Sequence, residues 1–236
     1  MGSVGVVGAG IIGLSSAVCI LERDPTVKLT VIADKFTPNT TSDGAAGLIM
    51  PIHMGNTPVH LQRKWFKATM EELETLSQRD DAGSYLTIYK TTSFDVTDES
   101  CEDPFWADLV DGYRHLSQKE LAQISKTAKF GYSFTTWFFN GRNYLPWLIE
   151  RFSFKKFQQA RMINAWVGLR PGRNSARLEK EEKRFRDKSG KEACLKIVHN
   201  YGHGGSGLTM HWGCALDTAD LVFEFLAAHE QLNSKL

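Results

Sequence analysis

Apolar and polar residues alternate with two different periods along this chain, and the change from one to the other separates its predicted elements. The apolar run Val4-Gly5-Val6-Val7 predicts a buried strand, and the pattern then turns helical near Ile11. A second apolar run at 27–33 predicts another strand, and apolar residues at helical spacing predict a helix over 60–76. A strand, a helix and a strand in this order indicate a βαβ unit with a parallel sheet.

Weaker patterns predict the rest of the secondary structure. Strands are expected at 85–89 and 91–96, and helices at 117–124 (with Ser117 as N-cap), 144–152 and about 214–228. The aromatic residues of this part are expected in the core: Phe105, Trp106, Trp137, Phe138, Phe139, Trp147 and Trp166. The mixed charges of 179–191 predict a solvated surface.

A glycine motif, G-x-G-x-x-G, connects the first strand to the first helix. Gly8 suits a tight turn, Gly10 lets a pyrophosphate approach the backbone, and Gly13 lets the helix pack against the strand. The helix N-terminus at Ile11 offers N–H groups and the positive end of a dipole to phosphates. Asp34, after the second strand, suits an adenosine ribose and disfavours the 2′-phosphate of NADP. The alternative is a glycine-tolerant turn without a ligand.

A second glycine-rich stretch lies near the end of the chain, where a short strand from 197 precedes four glycines within residues 202–207 and an apolar helix. Two such loops suit a cofactor too long for one of them, such as FAD. The first loop would hold the pyrophosphate, and the second would present N–H groups and a helix dipole to the flavin carbonyls. Alone, the second loop could equally be a structural turn.

Composition excludes several other classes. The 236 residues are 42% hydrophobic, enough for one or two domains, and a net charge of +1 gives no reason to expect nucleic acid or an anionic membrane as partner. The four cysteines lack metal-ligand spacing, so we expect no metal and a reducing compartment. The uncharged stretch 4–21 reaches the lower limit of a membrane span, but its three patterned glycines favour the cofactor unit.

The last three residues, Ser234-Lys235-Leu236, form a peroxisomal import address. They predict an import receptor as a partner and the peroxisomal matrix as the location. The alternative is that this ending arose by chance.

The chain resembles the D-amino-acid oxidase family of peroxisomal flavoenzymes through GAGIIGLSSA, IADKFTPNTTSDGAAGLIMP, PFWAD, NYLPWL, GLRPGR, HNYGHGGSGLTMHWG and the final SKL. Within it, DKFTPNTTSD, HLQRKWF and PFWADLVDGY are most similar to the branch that oxidises D-aspartate. The resemblance implies an α/β fold: a Rossmann-like FAD-binding domain (1–84 with 190–236) and a smaller, truncated α+β substrate domain (85–189).

The glycine motif and the resemblance together imply sixteen FAD-binding residues: Gly8, Gly10, Ile11, Ile12, Gly13, Asp34, Lys35, Thr41, Ser42, Leu48, Gly204, Gly205, Ser206, Gly207, Leu208 and Thr209. Arg170 matches the family arginine that binds the substrate α-carboxylate, although from sequence alone a surface arginine is the simpler interpretation. The implied reaction oxidises an acidic D-amino acid with oxygen to a 2-oxo acid, ammonia and hydrogen peroxide.

The chain departs from the family near residues 152–159, where it passes from the NYLPWL helix to the segment before GLRP. A stretch on the order of 100 residues, the size of a small domain, is missing there. In the family this stretch supplies a further parallel strand, much of the substrate domain's sheet, the tyrosines over the flavin and, in the D-aspartate branch, a basic residue for the second carboxylate.

Three functions therefore stay open. The first is oxidation of acidic D-amino acids, and the second is a catalytically impaired, flavin-binding isoform that acts as a partner protein. The third is oxidation of neutral D-amino acids, which HNYGHGG favours mildly. Met50 argues against this third function, because the neutral branch typically carries glutamine at the matching place.

Overall fold

The computed structural model describes residues 3–52, 54–153 and 172–233. The elements in chain order are β1 (Ser3–Val7), α1 (Ile11–Arg23), β2 (Lys28–Ile32), α2 (Val59–Ser77), β3 (Tyr89–Thr97), β4 (Asp111–His115), α3 (Gln118–Ile124), β5 (Phe130–Phe138), α4 (Gly141–Ser153), β6 (Gly172–Arg186), β7 (Glu192–His203) and α5 (Gly207–Asn233). The mixed α/β class predicted from the sequence is confirmed.

The first apolar runs form the predicted βαβ unit. β1 and β2 pair in parallel, with Ser3 opposite Lys28 and Val7 opposite Ile32, and α1 connects them. Helix α1 is buried on all sides from Leu14 to Leu21. It packs mainly on α5 and α4, and to a lesser extent on β1 and β2.

The remaining strands form two antiparallel sheets. The first has the order β3-β5-β4, and the second is the hairpin β6-β7. A short bridge between Leu48 and Phe138 connects β5 to the loop after β2. This bridge places the antiparallel sheet directly beside the βαβ unit.

Two sequence-based predictions of secondary structure need correction. The strand predicted at 85–89 is a π-helical turn, Ala82–Leu86, followed by Thr87 in the left-handed region (φ 55°). The buried side chains of Leu86 and Ile88 fix this turn to the core, although their alternation resembled a strand. The solvated surface predicted at 179–191 is confirmed, because most of these residues are exposed, and residues 179–186 belong to β6. The last helix begins at Gly207, seven residues before the predicted start at Cys214.

The aromatic core is confirmed in large part. Trp106, Trp137, Phe139 and Trp147 are buried, and Phe105 and Phe138 are half-buried. Trp166 lies outside the described residues. Helices α2 and α5 cross closely at Gly213, where a Cβ would lie 2.3 Å from the Cα of Trp65. The indole N–H of Trp65 donates to the Asp217 carboxylate at 2.8 Å, which fixes the same crossing.

One half-buried arginine joins three helices. Arg151 of α4 forms ion pairs at 2.6 Å with Glu22 of α1 and with Glu72 of α2. Its guanidinium also lies over the rings of Trp147 and Trp212, at 5.0 and 4.7 Å from their centroids. Burial raises the pKa of the Glu72 carboxyl, and the hydrogen bond from Arg151 opposes that rise.

We expect Arg151→Met to lower the free energy of unfolding by about 3 kcal/mol, because it leaves a largely buried carboxylate without its partner. Lys67→Met is the matched control, since its pair with Glu71 is exposed on one helix face and such a pair contributes about 0.5 kcal/mol or less. Urea unfolding followed by circular dichroism measures both variants. Equal losses of unfolding free energy in the two variants would show that the Arg151 ion pairs stabilise the protein no more than an exposed pair does.

Candidate cofactor site

The first glycine loop has the geometry that its sequence requires. Gly8 has a φ of +110°, and its N–H donates to the Ile32 carbonyl at 2.8 Å, which closes the turn onto the end of β2. A Cβ on Gly13 would lie 2.0 Å from the Gly8 carbonyl oxygen, so α1 reaches β1 only because residue 13 has no side chain. A Cβ on Gly10 would meet only the Ser42 hydroxyl, at 3.3 Å.

A polar loop after β2 covers the beginning of α1. Within it, Ser42 lies in a short 3₁₀ turn, Thr41–Gly44, and its Oγ accepts the Ile11 N–H at 3.1 Å. Asp43 is buried and fixes the loop, because its carboxylate accepts the N–H and the hydroxyl of Thr40 at 2.8 and 2.7 Å. Sequence analysis missed Asp43, although the spacing T-x-x-D is a capping-box pattern that could have indicated it.

The second glycine loop connects β7 to α5 through one 3₁₀ turn, Gly204–Ser206. The Ser206 hydroxyl accepts the Ile52 N–H at 2.6 Å and donates to the Ile52 carbonyl. The Thr209 hydroxyl donates to the Met50 carbonyl at 2.9 Å. Two side chains of this loop thus attach the segment 50–52 to the start of α5.

Two buried histidines accompany the second loop. His211 Nδ1 donates to the Leu208 carbonyl at 2.6 Å, which leaves Nε2 to accept from the Tyr144 hydroxyl at 3.1 Å. Burial lowers the pKa of His211 to about 4, and burial does the same for His203. Both rings are therefore neutral at pH 7, and neither adds positive charge beside the start of α5.

Both glycine loops face one cavity of about 2300 Å³. Fifteen of the sixteen predicted cofactor residues line it: Gly8, Gly10, Ile11, Ile12, Gly13, Asp34, Lys35, Thr41, Ser42, Leu48, Gly204, Gly205, Gly207, Leu208 and Thr209. Ser206 does not, because its hydroxyl is turned to the backbone of Ile52. Arg142, which the sequence analysis did not select, is also in the wall. Arg170 and Ser234-Lys235-Leu236 lie outside the described residues.

The cavity also extends between the edges of two strands. Val6 of β1, Val198 of β7 and Phe223 of α5 line this extension. Within the described ranges, β1 pairs only with β2, and β7 pairs only with β6. The side chain of Val7, at the end of β1, is 87% exposed. This part of the cavity is an apolar cleft beside an incomplete sheet.

The walls fit a flavin dinucleotide. A Cβ on Gly10 would enter the cavity without meeting backbone, so the missing side chain leaves space for a ligand beside the N-terminus of α1. The N-terminus of a second long helix, α5, meets the same cavity. Two helix N-termini at one cavity suit a long ligand with a diphosphate and electron-rich carbonyls.

In residues 3–52, 54–153 and 172–233, no three histidine, cysteine, aspartate or glutamate side chains come together as metal ligands. The helices seen in those same ranges include none with the length and apolar character needed to cross a bilayer.

The fold and the cavity define a dinucleotide-binding protein of the flavin class, and comparison with known proteins agrees. Residues 3–156 match the DAO family, described as FAD dependent oxidoreductase, and the chain belongs to this family. FAD is the family's cofactor.

Two relatives give the scale of the similarity. The chain is 41% identical over 155 residues to D-aspartate oxidase from Homo sapiens, and this alignment covers 63% of this chain and 43% of the human protein. It is 27% identical over 330 residues to a D-amino acid oxidase from Dugesia ryukyuensis, and that alignment covers 94% of this chain and 98% of the relative. A glycine oxidase structure from Bacillus cereus superposes with a TM-score of 0.46 at 13% identity, over 65% of this chain and 44% of that one.

The chain thus spans less than half of the human relative's length. The alignment with the Dugesia ryukyuensis protein runs over 330 residues, more than the 236 of this chain. The Dugesia ryukyuensis protein therefore contains residues that have no counterpart here, as the predicted internal deletion requires.

We expect Gly10→Val to abolish flavin binding while the protein still folds, because the new side chain enters the cavity and meets no backbone. Gly83→Ala is the control, since a Cβ there meets nothing within 4 Å and Gly83 does not line the cavity. Flavin absorbance per mole of purified protein measures the result. Unchanged flavin content in Gly10→Val would remove the assignment of this loop.

Proposed function

We propose that this chain binds FAD in the cavity between its two glycine loops and that its chemistry is the oxidation of acidic D-amino acids, D-aspartate first among them. One observation carries the proposal. Fifteen predicted cofactor residues, from loops almost 200 positions apart in sequence, line a single cavity. The class of substrate is supported by the 41% identity to a protein named D-aspartate oxidase.

In this proposal the two ends of the cavity have different tasks. Gly8, Gly10 and the start of α1 hold the diphosphate, and the loop 204–209 holds the flavin through its N–H groups and the dipole of α5. When bound, FAD supplies two-electron oxidation of the amino acid's Cα–N bond, with oxygen as the final acceptor. The products are hydrogen peroxide and an imino acid, which water converts to a 2-oxo acid and ammonia. Arg170 is proposed as the residue that binds the α-carboxylate.

A second candidate function is an impaired, flavin-binding protein, and the cleft between β1 and β7 favours it. An arginine–carboxylate pair is strong only where water is excluded, and each charged hydrogen bond then contributes roughly 1.5–3 kcal/mol. Walls with open strand edges admit water. Oxidation of neutral D-amino acids is a third candidate, which the stretch HNYGHGG favours mildly.

We expect the purified chain to show flavin absorbance but little or no peroxide production from D-aspartate or D-alanine. Inserting the missing stretch from the Dugesia ryukyuensis relative should restore turnover, and Arg170→Ala in the restored protein should abolish it again. Arg173→Ala is the matched control and should keep turnover, because Arg173 does not line the cavity. A colourless protein would refute FAD binding, and efficient D-aspartate oxidation by the chain as given would refute the impairment.

Peroxisomal import through Ser234-Lys235-Leu236 is a further part of the proposal, since a receptor reads the free C-terminal tripeptide. We expect a fluorescent fusion, tagged at its N-terminus, to reach peroxisomes, and the same fusion without Leu236 to stay in the cytosol. Microscopy with a peroxisomal marker measures both. If the truncated fusion still enters peroxisomes, the address lies elsewhere in the chain.

A further inference from the structure

The wall of the cavity contains an arginine to which no role has been given. Arg142 is the second residue of α4, and its N–H donates to the side-chain oxygen of Asn140 at 3.0 Å. Asn140 thereby caps the helix, and its carbonyl accepts the N–H groups of Asn143 and Tyr144. The backbone at Arg142 is thus fixed, and Arg142 is an exposed residue of the cavity lining.

The start of α4 lies on the same loop that covers α1. A Cβ on Gly141 would lie 2.3 Å from the Ser42 carbonyl oxygen, so α4 approaches Ser42 as closely as a glycine allows. On its other side, the Ser42 hydroxyl accepts the N–H of Ile11. Two helices therefore begin on either side of Ser42, and Arg142 lies one residue beyond this contact.

Arg142 lacks the ion pair that many other arginines of the described residues form. Six arginines are paired with carboxylates: Arg23, Arg63, Arg79, Arg114, Arg151 and Arg177. The side chain of Arg142 has no hydrogen bond or ion pair to any other residue that the structure describes. Of the other lysines and arginines in the described wall, Lys196 donates to the Phe225 carbonyl, on a remote part of α5, and Lys35 follows the ribose candidate Asp34.

A flavin dinucleotide placed beside α1 brings a diphosphate with two negative charges. The Ile11 N–H is already donated to Ser42, so the N-terminus of α1 has one fewer donor for it. A guanidinium on the same wall supplies both charge and several N–H donors for phosphate oxygens. We infer that Arg142 binds the cofactor's diphosphate, an inference that rests on the proposed function.

The test is a fluorescence titration of the purified apoprotein with FAD at low salt. Arg142→Ala should weaken FAD binding about tenfold, and Arg142→Lys, which keeps the charge, should stay within about threefold of the original chain. Arg184→Ala is the matched control, because this exposed arginine of β6 does not line the cavity. It should leave the affinity unchanged.

Repeating the titration at rising ionic strength separates charge from shape. If Arg142 pairs with a diphosphate, the difference in FAD affinity between the original chain and Arg142→Ala should shrink as salt screens the pair. A difference in affinity that does not change with salt, or no difference in affinity, would overturn the inference while FAD binding itself stands. If the original chain binds no FAD, the proposed function fails, and the inference fails with it.

Discussion

The contact between α1 and the turn that precedes it is a steric constraint on which both the fold and the candidate site rest. With glycine at position 13, the helix lies so near that a Cβ would be 2.0 Å from the Gly8 carbonyl oxygen. Helix α1 also packs on α5 and α4, so its position fixes the relative placement of those elements. Because α1 is held in this position, its N-terminus faces the cavity. Fold and candidate site thus share one steric requirement.

Around that contact, the protein joins its two glycine loops through polar side chains of intervening loops. Ser42 touches the starts of both α1 and α4, and Asp43 keeps the loop around it in shape. Ser206 and Thr209 attach the segment 50–52 to the beginning of α5. These hydrogen bonds use backbone groups that are not paired within strands or helices. They hold the loops of the cavity wall in place without an apolar core beneath these loops.

One side of the cavity is bordered by unpaired strand edges. The edges of β1 and β7 that border the cleft have no partner strand among the described residues, and apolar side chains line the space between them. Unpaired strand edges and exposed apolar surface favour association with other chains. The cofactor end of the cavity does not share this defect, because its walls are loops and helix N-termini fixed by hydrogen bonds.

The sequence by itself determined the βαβ unit, the two glycine loops and the family, because glycine spacing and apolar periodicity are local properties of the chain. The sequence misassigned 85–89 as a strand. Leu86 and Ile88 are buried on either side of Thr87, which is the spacing of a strand, but here Thr87 is in the left-handed region and the segment is a turn. Only the tertiary structure decided which candidates share a wall. It turned Ser206 away to Ile52 and brought Gly141, the neighbour of Arg142, beside Ser42, because contacts between residues far apart in sequence depend on how the elements pack.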